Sequence, residues 1–269
     1  MYRETVAIVT GGGTGIGRAI ALRLAREGAS VALAGRRRQP LEETASVIEE
    51  RGGRALAIPT DLAKQDDIEQ LVDTTMASFG RIDHVINNAV MNYGGQYHEV
   101  TVEEIRHMID VSFTAPLLLT RLTLPQMRER RSGNIVMIGS TAYVGWPYVV
   151  TYSAIKAALD GFAQGLRREA APAGVHVAIV HPAGTDTPSM TPTARREFEA
   201  LGFKIFPPEV VADATLQAMS KKRVRVVIGG WERRHVLKTR VDPRLVDKKL
   251  AKMARGFEAA MHEHQTPSE

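Results

Sequence analysis

Tyr152 and Lys156 stand four residues apart in the stretch IGSTAYVGWPYVVTYSAIKAALD (138–160), and Ser140 lies twelve residues before the tyrosine. From Tyr152 onward the apolar residues recur at helical spacing, so positions i and i+4 share a face. Lys156 is then one turn from Tyr152. An ammonium so close favours the phenolate, and the tyrosine's pKa is expected to fall from about 10 toward working pH. A phenol tuned this way can pass a proton at neutral pH. Ser140 closes an expected strand (134–139), where its hydroxyl is set to hold a carbonyl oxygen beside the tyrosine. By itself the pair is equally that of a helix with a surface lysine, so the reading turns on the rest of the chain.

The elements that must position these groups alternate. Residues 5–10 (TVAIVT) form a β-branched run, then TGGGTGIG (10–17), then a helical run, RAIALRLAREGA. Strand, glycine-rich turn and helix in succession are the setting of a dinucleotide-binding turn, where backbone and helix N-terminus meet a pyrophosphate. A second strand (30–35) runs into Arg36, Arg37 and Arg38, with no Asp or Glu from 28 to 41. Arginine there suits a ribose 2′-phosphate, an acidic residue the free hydroxyl, so NADP(H) is preferred over NAD(H). Further strands are expected at 54–59, 83–87, 134–139, 175–181 and 224–228, with helices between. Thr101 and Glu104 have the spacing of a capping box, and Pro116 is expected to kink the long helix that ends near 130. This pattern predicts an α/β fold: a Rossmann-type doubly wound parallel sheet of about seven strands in three α/β/α layers, as one domain over 1–269. Residues 183–208 break the alternation, are rich in Thr and Pro, and are expected to form a substrate lid.

Composition narrows the function. The chain has 269 residues and no Cys, which excludes a disulfide framework, a thiolate nucleophile and a Cys-bound metal. The N-terminus enters a strand at once without signal-peptide architecture, and no apolar run is long enough to span a bilayer. A cytoplasmic location is expected. The formal charge is +5, but residues 221–255 carry 13 Lys and Arg against 3 Asp and Glu, leaving the remainder at −5. A basic amphipathic helix at about 243–262 has apolar Leu245, Val246, Leu250, Met253, Phe257 and Met261. Its polar face carries Lys248, Lys249, Lys252 and Arg255. Such a helix packs on its own domain or a subunit interface; an anionic membrane or acidic partner is the alternative. No nucleic-acid reader motif accompanies the charge. The eight histidines are scattered and no metal constellation is visible.

With these pieces placed, the chain resembles the short-chain dehydrogenase/reductase family, single-domain subtype, over about residues 5–230. The motifs are TGGGTGIG (10–17), Asp61 after the third strand, NNA (87–89), Ser140, and Tyr152-Ser-Ala-Ile-Lys156. The resemblance implies that Tyr152 is the proton donor and acceptor, that Lys156 lowers its pKa and binds the nicotinamide ribose, and that Ser140 holds the substrate oxygen. It implies Gly11, Thr14, Gly15, Ile16 and Gly17 at the pyrophosphate, Asp61 and Leu62 at the adenine, Asn88 along the cofactor, and Thr185 and Thr187 toward the nicotinamide. It also implies a homodimer or homotetramer. Three positions depart from the family. Ser112 stands where the family has an Asn whose backbone carbonyl holds a water in the proton relay. Val90 and Ala183 stand where it has Gly; if positive φ were needed at 183, Ala there costs on the order of 1 kcal/mol.

The expected activity is an NADP-dependent interconversion of a ketone and a secondary alcohol. Alternatives are reduction of an imine or C=C bond, and a cofactor-sensing binding protein with weakened catalysis. Tyr93, Tyr97, Tyr143, Trp146, Tyr148, Met190 and Phe206 are candidates to line a pocket for a bulky apolar or aromatic substrate.

Overall fold

The computed structural model describes residues 2–200, 202–230, 234, 236, 238–239, 242 and 244–263. Seven parallel strands form one sheet: β1 Val6–Thr10, β2 Ser30–Gly35, β3 Arg54–Pro59, β4 His84–Asn87, β5 Gly133–Ile138, β6 Val175–His181 and β7 Arg225–Val227. Their order is β3-β2-β1-β4-β5-β6-β7. The helices are α1 Gly15–Arg26, α2 Arg38–Glu50, α3 Gln65–Phe79, α4 Val102–Ile109, α5 Ala115–Glu129, α6 Val150–Ala170, α7 Pro192–Ala200, α8 Pro208–Ser220 and α9 Arg244–Glu263.

Helices on both faces explain the apolar runs. Every residue of β1, β4 and β5 is buried, as expected where crossover helices cover both sides. Side-chain alternation divides the core in two. Ala7, Val9, Val31, Leu33, Val136 and Val180 face α1, α2 and α8. Ile8, Ala32, Val85, Ile135, Met137 and Ile179 face α3, α5 and α6. The strand order reverses between β1 and β4, and at such a switch point the carboxyl ends of the strands leave a crevice for a ligand.

The capping box is present: Thr101 Oγ1 accepts from Glu104 N at 3.2 Å, and Glu104 Oε2 accepts from Thr101 N at 2.9 Å. The irregularity expected at Pro116 falls directly before it: the helical run passes through a π-helical turn at Asp110–Thr114, and Pro116 sits in the first turn of α5. Having no N–H, the proline returns no bond to the carbonyl four residues back, inside that turn. In α9, Val246 is buried and Leu250 packs on Trp146, while Leu245 is 56% exposed, so the expected apolar face is only partly used. Pro243 and the side chains of Lys248, Lys249, Met253, Phe257 and Met261 lie outside the described residues. No helix among the described residues is long and apolar enough to cross a membrane.

Candidate active site

The glycine turn bends the chain from β1 into α1. A Cβ on Gly17 would lie 2.1 Å from the Gly11 carbonyl oxygen, so the helix meets the turn only because no side chain stands there. Thr14, at the N-cap of α1, makes no side-chain bond to the first turn, which leaves those N–H groups to an outside acceptor. Thr10 Oγ1 accepts from the backbone N–H of Asn88 and Ala89 at 2.9 and 3.0 Å, and Asn88 Nδ2 donates to Thr10 O at 2.8 Å. The ends of β1 and β4 are thereby tied together at the switch point. A backbone cradle with open donors fits a dinucleotide pyrophosphate. Arg36 and Arg37 follow β2 and are exposed, and Arg38 pairs with Glu42 at 3.3 Å.

Beside this turn lies a cavity of about 440 Å³. Of the residues expected at the site, Ile16, Asn88, Ser140, Tyr152, Lys156, Thr185 and Thr187 line it. Gly11, Thr14, Gly15, Gly17, Arg36, Arg37, Asp61 and Leu62 stand outside its lining, along the carboxyl ends of β1, β2 and β3. Asp61 Oδ1 accepts from Ala63 N at 3.2 Å and Leu62 is buried.

The expectation for Tyr152 is corrected in its direction. Burial pushes its phenol above the ordinary range, and a hydrogen bond to Ser140 pulls the other way. The lysine does not reverse this. Lys156 is buried, its Nζ donates to the Ile138 carbonyl at 2.7 Å, and it lies 5.5 Å from the centre of the tyrosine ring. Burial lowers the Lys156 pKa itself to about 8. Removing water penalises the charged form of each group. Ser140 Oγ also accepts from Ala142 N at 3.1 Å, which fixes its rotamer.

Ser112 is not brought to the cavity. Its hydroxyl accepts from Met91 N at 2.8 Å and donates to Met91 O at 3.2 Å, anchoring the loop after β4. Pro116 has no N–H to return to the Ser112 carbonyl four residues back. Ala183 is absent from the residues with left-handed φ, so the conditional cost of an alanine there does not arise. Val90 is 43% exposed and its side chain forms part of the cavity wall.

Of the aromatic and methionine candidates, Trp146, Tyr148 and Met190 line the cavity. Tyr93, Tyr97, Tyr143 and Phe206 do not, which corrects the expectation for those four. Tyr97 faces solvent, and Tyr93 lies 6.3 Å from His107, centre to centre. Tyr143 packs on His181, and Phe206 packs on the core under Lys204. From the 183–208 stretch, Met190, Thr193, Ala194 and Phe198 form part of the cavity wall, and Phe198 contacts Trp146 and Phe203. No role of its own was expected for Thr10, which opens TGGGTGIG, or for His181. A histidine directly before a proline at the end of a strand was the available signal for the second.

Comparison with known proteins agrees. A family profile described as short chain dehydrogenase matches residues 5–197. An uncharacterized oxidoreductase of Staphylococcus aureus is 34% identical over 224 residues, 82% of this chain and 93% of that protein. A short chain dehydrogenase from Burkholderia cenocepacia, solved in complex with NADP, has a TM-score of 0.77 at 30% identity, covering 85% of this chain and 98% of that one. A 3-ketoacyl-(acyl-carrier-protein) reductase from Brucella melitensis, complexed with NADH, also has a TM-score of 0.77, at 26% identity and the same coverage.

Proposed function

The chain belongs to the short chain dehydrogenase family and is an NAD(P)-dependent oxidoreductase; from that premise we propose that it interconverts a ketone and a secondary alcohol, with NADP(H) preferred and Tyr152 as proton donor and acceptor. One observation carries the reading. Tyr152, hydrogen-bonded to Ser140, shares a single cavity with Lys156 and with Ile16 and Asn88 from the glycine-turn side.

In this reading the first turn of α1, with Gly11, Thr14, Gly15, Ile16 and Gly17, holds the pyrophosphate. Asp61 and Leu62 flank the adenine, and Asn88, Thr185 and Thr187 border the nicotinamide half. When bound, the nicotinamide supplies or takes the hydride. Ser140 orients the substrate oxygen and Tyr152 passes the proton to it. Lys156 steadies the phenolate left behind. A phenol whose pKa is raised by burial keeps its proton at neutral pH, which suits the reductive direction. Residues 183–208 act as the lid over a bulky, largely apolar substrate. The exposed Arg36 and Arg37, with no acidic residue nearby in the turn, supply the charge a 2′-phosphate needs.

The test is NADPH oxidation over a panel of neutral ketones. Tyr152→Phe is expected to lower kcat by roughly 100-fold or more; a variant that keeps most of the rate removes Tyr152 from the chemistry. Arg36→Ala is expected to raise the KM for NADPH and leave that for NADH unchanged. An unaltered NADPH to NADH ratio refutes the charge argument.

A further inference from the structure

We propose that His181, held by Asp160, is a positioning residue that fixes the peptide carrying Ser140. The proposal rests on the reading of Ser140 as the group that orients the substrate oxygen. His181 is the last residue of β6 and is fully buried. Its Nδ1 lies 3.1 Å from the Ser140 carbonyl oxygen and its Nε2 lies 3.1 Å from Asp160 Oδ1. The second carboxylate oxygen of Asp160 pairs with Arg225 of β7. A carbonyl oxygen and a carboxylate oxygen both only accept, so each ring nitrogen faces an acceptor and each bond requires its nitrogen to carry hydrogen.

The next residue completes the grip. Thr141 N donates to Pro182 O at 2.9 Å, so residues 181 and 182 hold both polar groups of the peptide that joins Ser140 to Thr141. On the other side of Gly139, Lys156 holds the Ile138 carbonyl. The ring itself is wedged. A Cβ on Gly139 would fall 2.5 Å from Nδ1, and the Tyr143 ring lies 4.5 Å away, centre to centre. The charged and titratable groups around the imidazole are therefore Asp160 from α6, Arg225 from β7 and Tyr143 from the turn after β5.

Tyr152, Lys156 and Asp160 follow one another at four-residue steps, so α6 presents all three on one face. The first two face the cavity, and the third reaches the serine from behind through His181. If the Ser140 peptide turned, the hydroxyl would leave the position from which it bonds Tyr152. Small misplacements of an orienting group cost large factors in rate, and the outer partners that orient metal ligands, a comparable device, are typically worth 10- to 100-fold.

Kinetics of Ser140→Ala, His181→Leu, His181→Asn and the double variant Ser140→Ala/His181→Leu test this. His181→Leu is expected to lower kcat by roughly tenfold, with the KM for NADPH unchanged. His181→Asn, whose amide places a donor near the Nδ1 position, is expected to regain most of that rate. The double variant should be no slower than Ser140→Ala alone, because His181 acts through the serine. A wild-type kcat in His181→Leu, or losses that multiply in the double variant, overturn the proposal while the Ser140 reading stands. A wild-type kcat in Ser140→Ala overturns the Ser140 reading and the proposal with it. Nitrogen NMR of the histidine ring in the wild-type protein gives an answer independent of turnover. Nδ1 is expected to carry hydrogen, and a bare Nδ1 overturns the proposal whatever the kinetics.

Discussion

At the amino ends of β1, β4 and β5 the sheet buries Asp83, His84 and Asn134; near the carboxyl ends of β5 and β6 it buries Lys156 and His181. The residue types are similar and the wiring differs. Asp83 Oδ2 accepts from Val6 N at 2.9 Å and from Arg81 Nε at 2.8 Å, and its Oδ1 accepts from Arg81 at 2.7 Å. Asn134 bonds His84 Nδ1 at 3.0 Å and accepts from Lys222 at 3.4 Å. These groups are spent on one another and close the bottom of the sheet. At the other end Lys156, Tyr152 and Ser140 border a cavity of about 440 Å³. Burial of polar groups is therefore no sign of function by itself. What separates the two ends is whether the bonds close among protein groups or leave capacity facing a space.

Asp83→Ala should break the comparison most strongly in stability. It strips the acceptor from the buried Val6 amide and from Arg81, whose side chain is 44% exposed and can turn to water. A buried amide left unpaired, with part of an ion pair lost, costs about 3 kcal/mol. Denaturant unfolding should show that loss, while kcat of the folded enzyme stays near wild type. A large drop in kcat at unchanged stability would mean that the amino end is not merely structural.

Lys156→Met is the mirror image. Its pKa, lowered from 10.5 to about 8, means that the unfolded chain binds more protons between those values. Stability of the wild-type protein then rises as the pH climbs from about 8 to 10.5, and the desolvation cost is fully present below 8. That cost is about 3 kcal/mol, and leaving the buried Ile138 carbonyl unpaired costs about 1 to 3 kcal/mol in return. The methionine variant should be at least as stable as wild type at pH 7, lack the alkaline rise, and turn over far more slowly. If it is less stable at pH 7, Lys156 serves the fold and the contrast between the ends fails.

The carboxyl end was largely legible in the sequence because its signals are local. TGGGTGIG and the Tyr152 and Lys156 pair each announce themselves within a few residues, and seven strands follow from apolar runs of the right length. The rest depends on packing. The upward shift of Tyr152 comes from exclusion of water, which spacing alone does not report. Ser112 turned to the Met91 backbone because the π-helical turn aims it there. Tyr143 and Phe206 looked like pocket residues by type and are taken up by His181 and by the core. His181 meets Asp160 and Arg225 across 21 and 65 residues of chain counted from Asp160, and nothing local links the three.

His84 gives the finest test of the contrast, because it sits at the structural end yet is not fully satisfied. Nδ1 is bonded to Asn134, whereas Nε2 is buried without a partner. Burial leads in lowering its pKa from 6.5 to about 4; Lys222 and Arg81 add to this and Asp83 opposes it. The unfolded chain then binds a proton between pH 6.5 and 4 that the folded protein refuses, so stability falls on acidification through that window. At pH 5.5 the loss is about 1 kcal/mol. His84→Phe keeps a ring against the edge-on Tyr2, 5.2 Å away, and removes the titration. It should unfold somewhat more easily than wild type at pH 7.5, through the lost Asn134 bond, and lose less on going to pH 5.5. An acid slope that is the same in both proteins would place the acid sensitivity elsewhere, with His176, whose pKa burial and Lys222 also lower, as the next candidate.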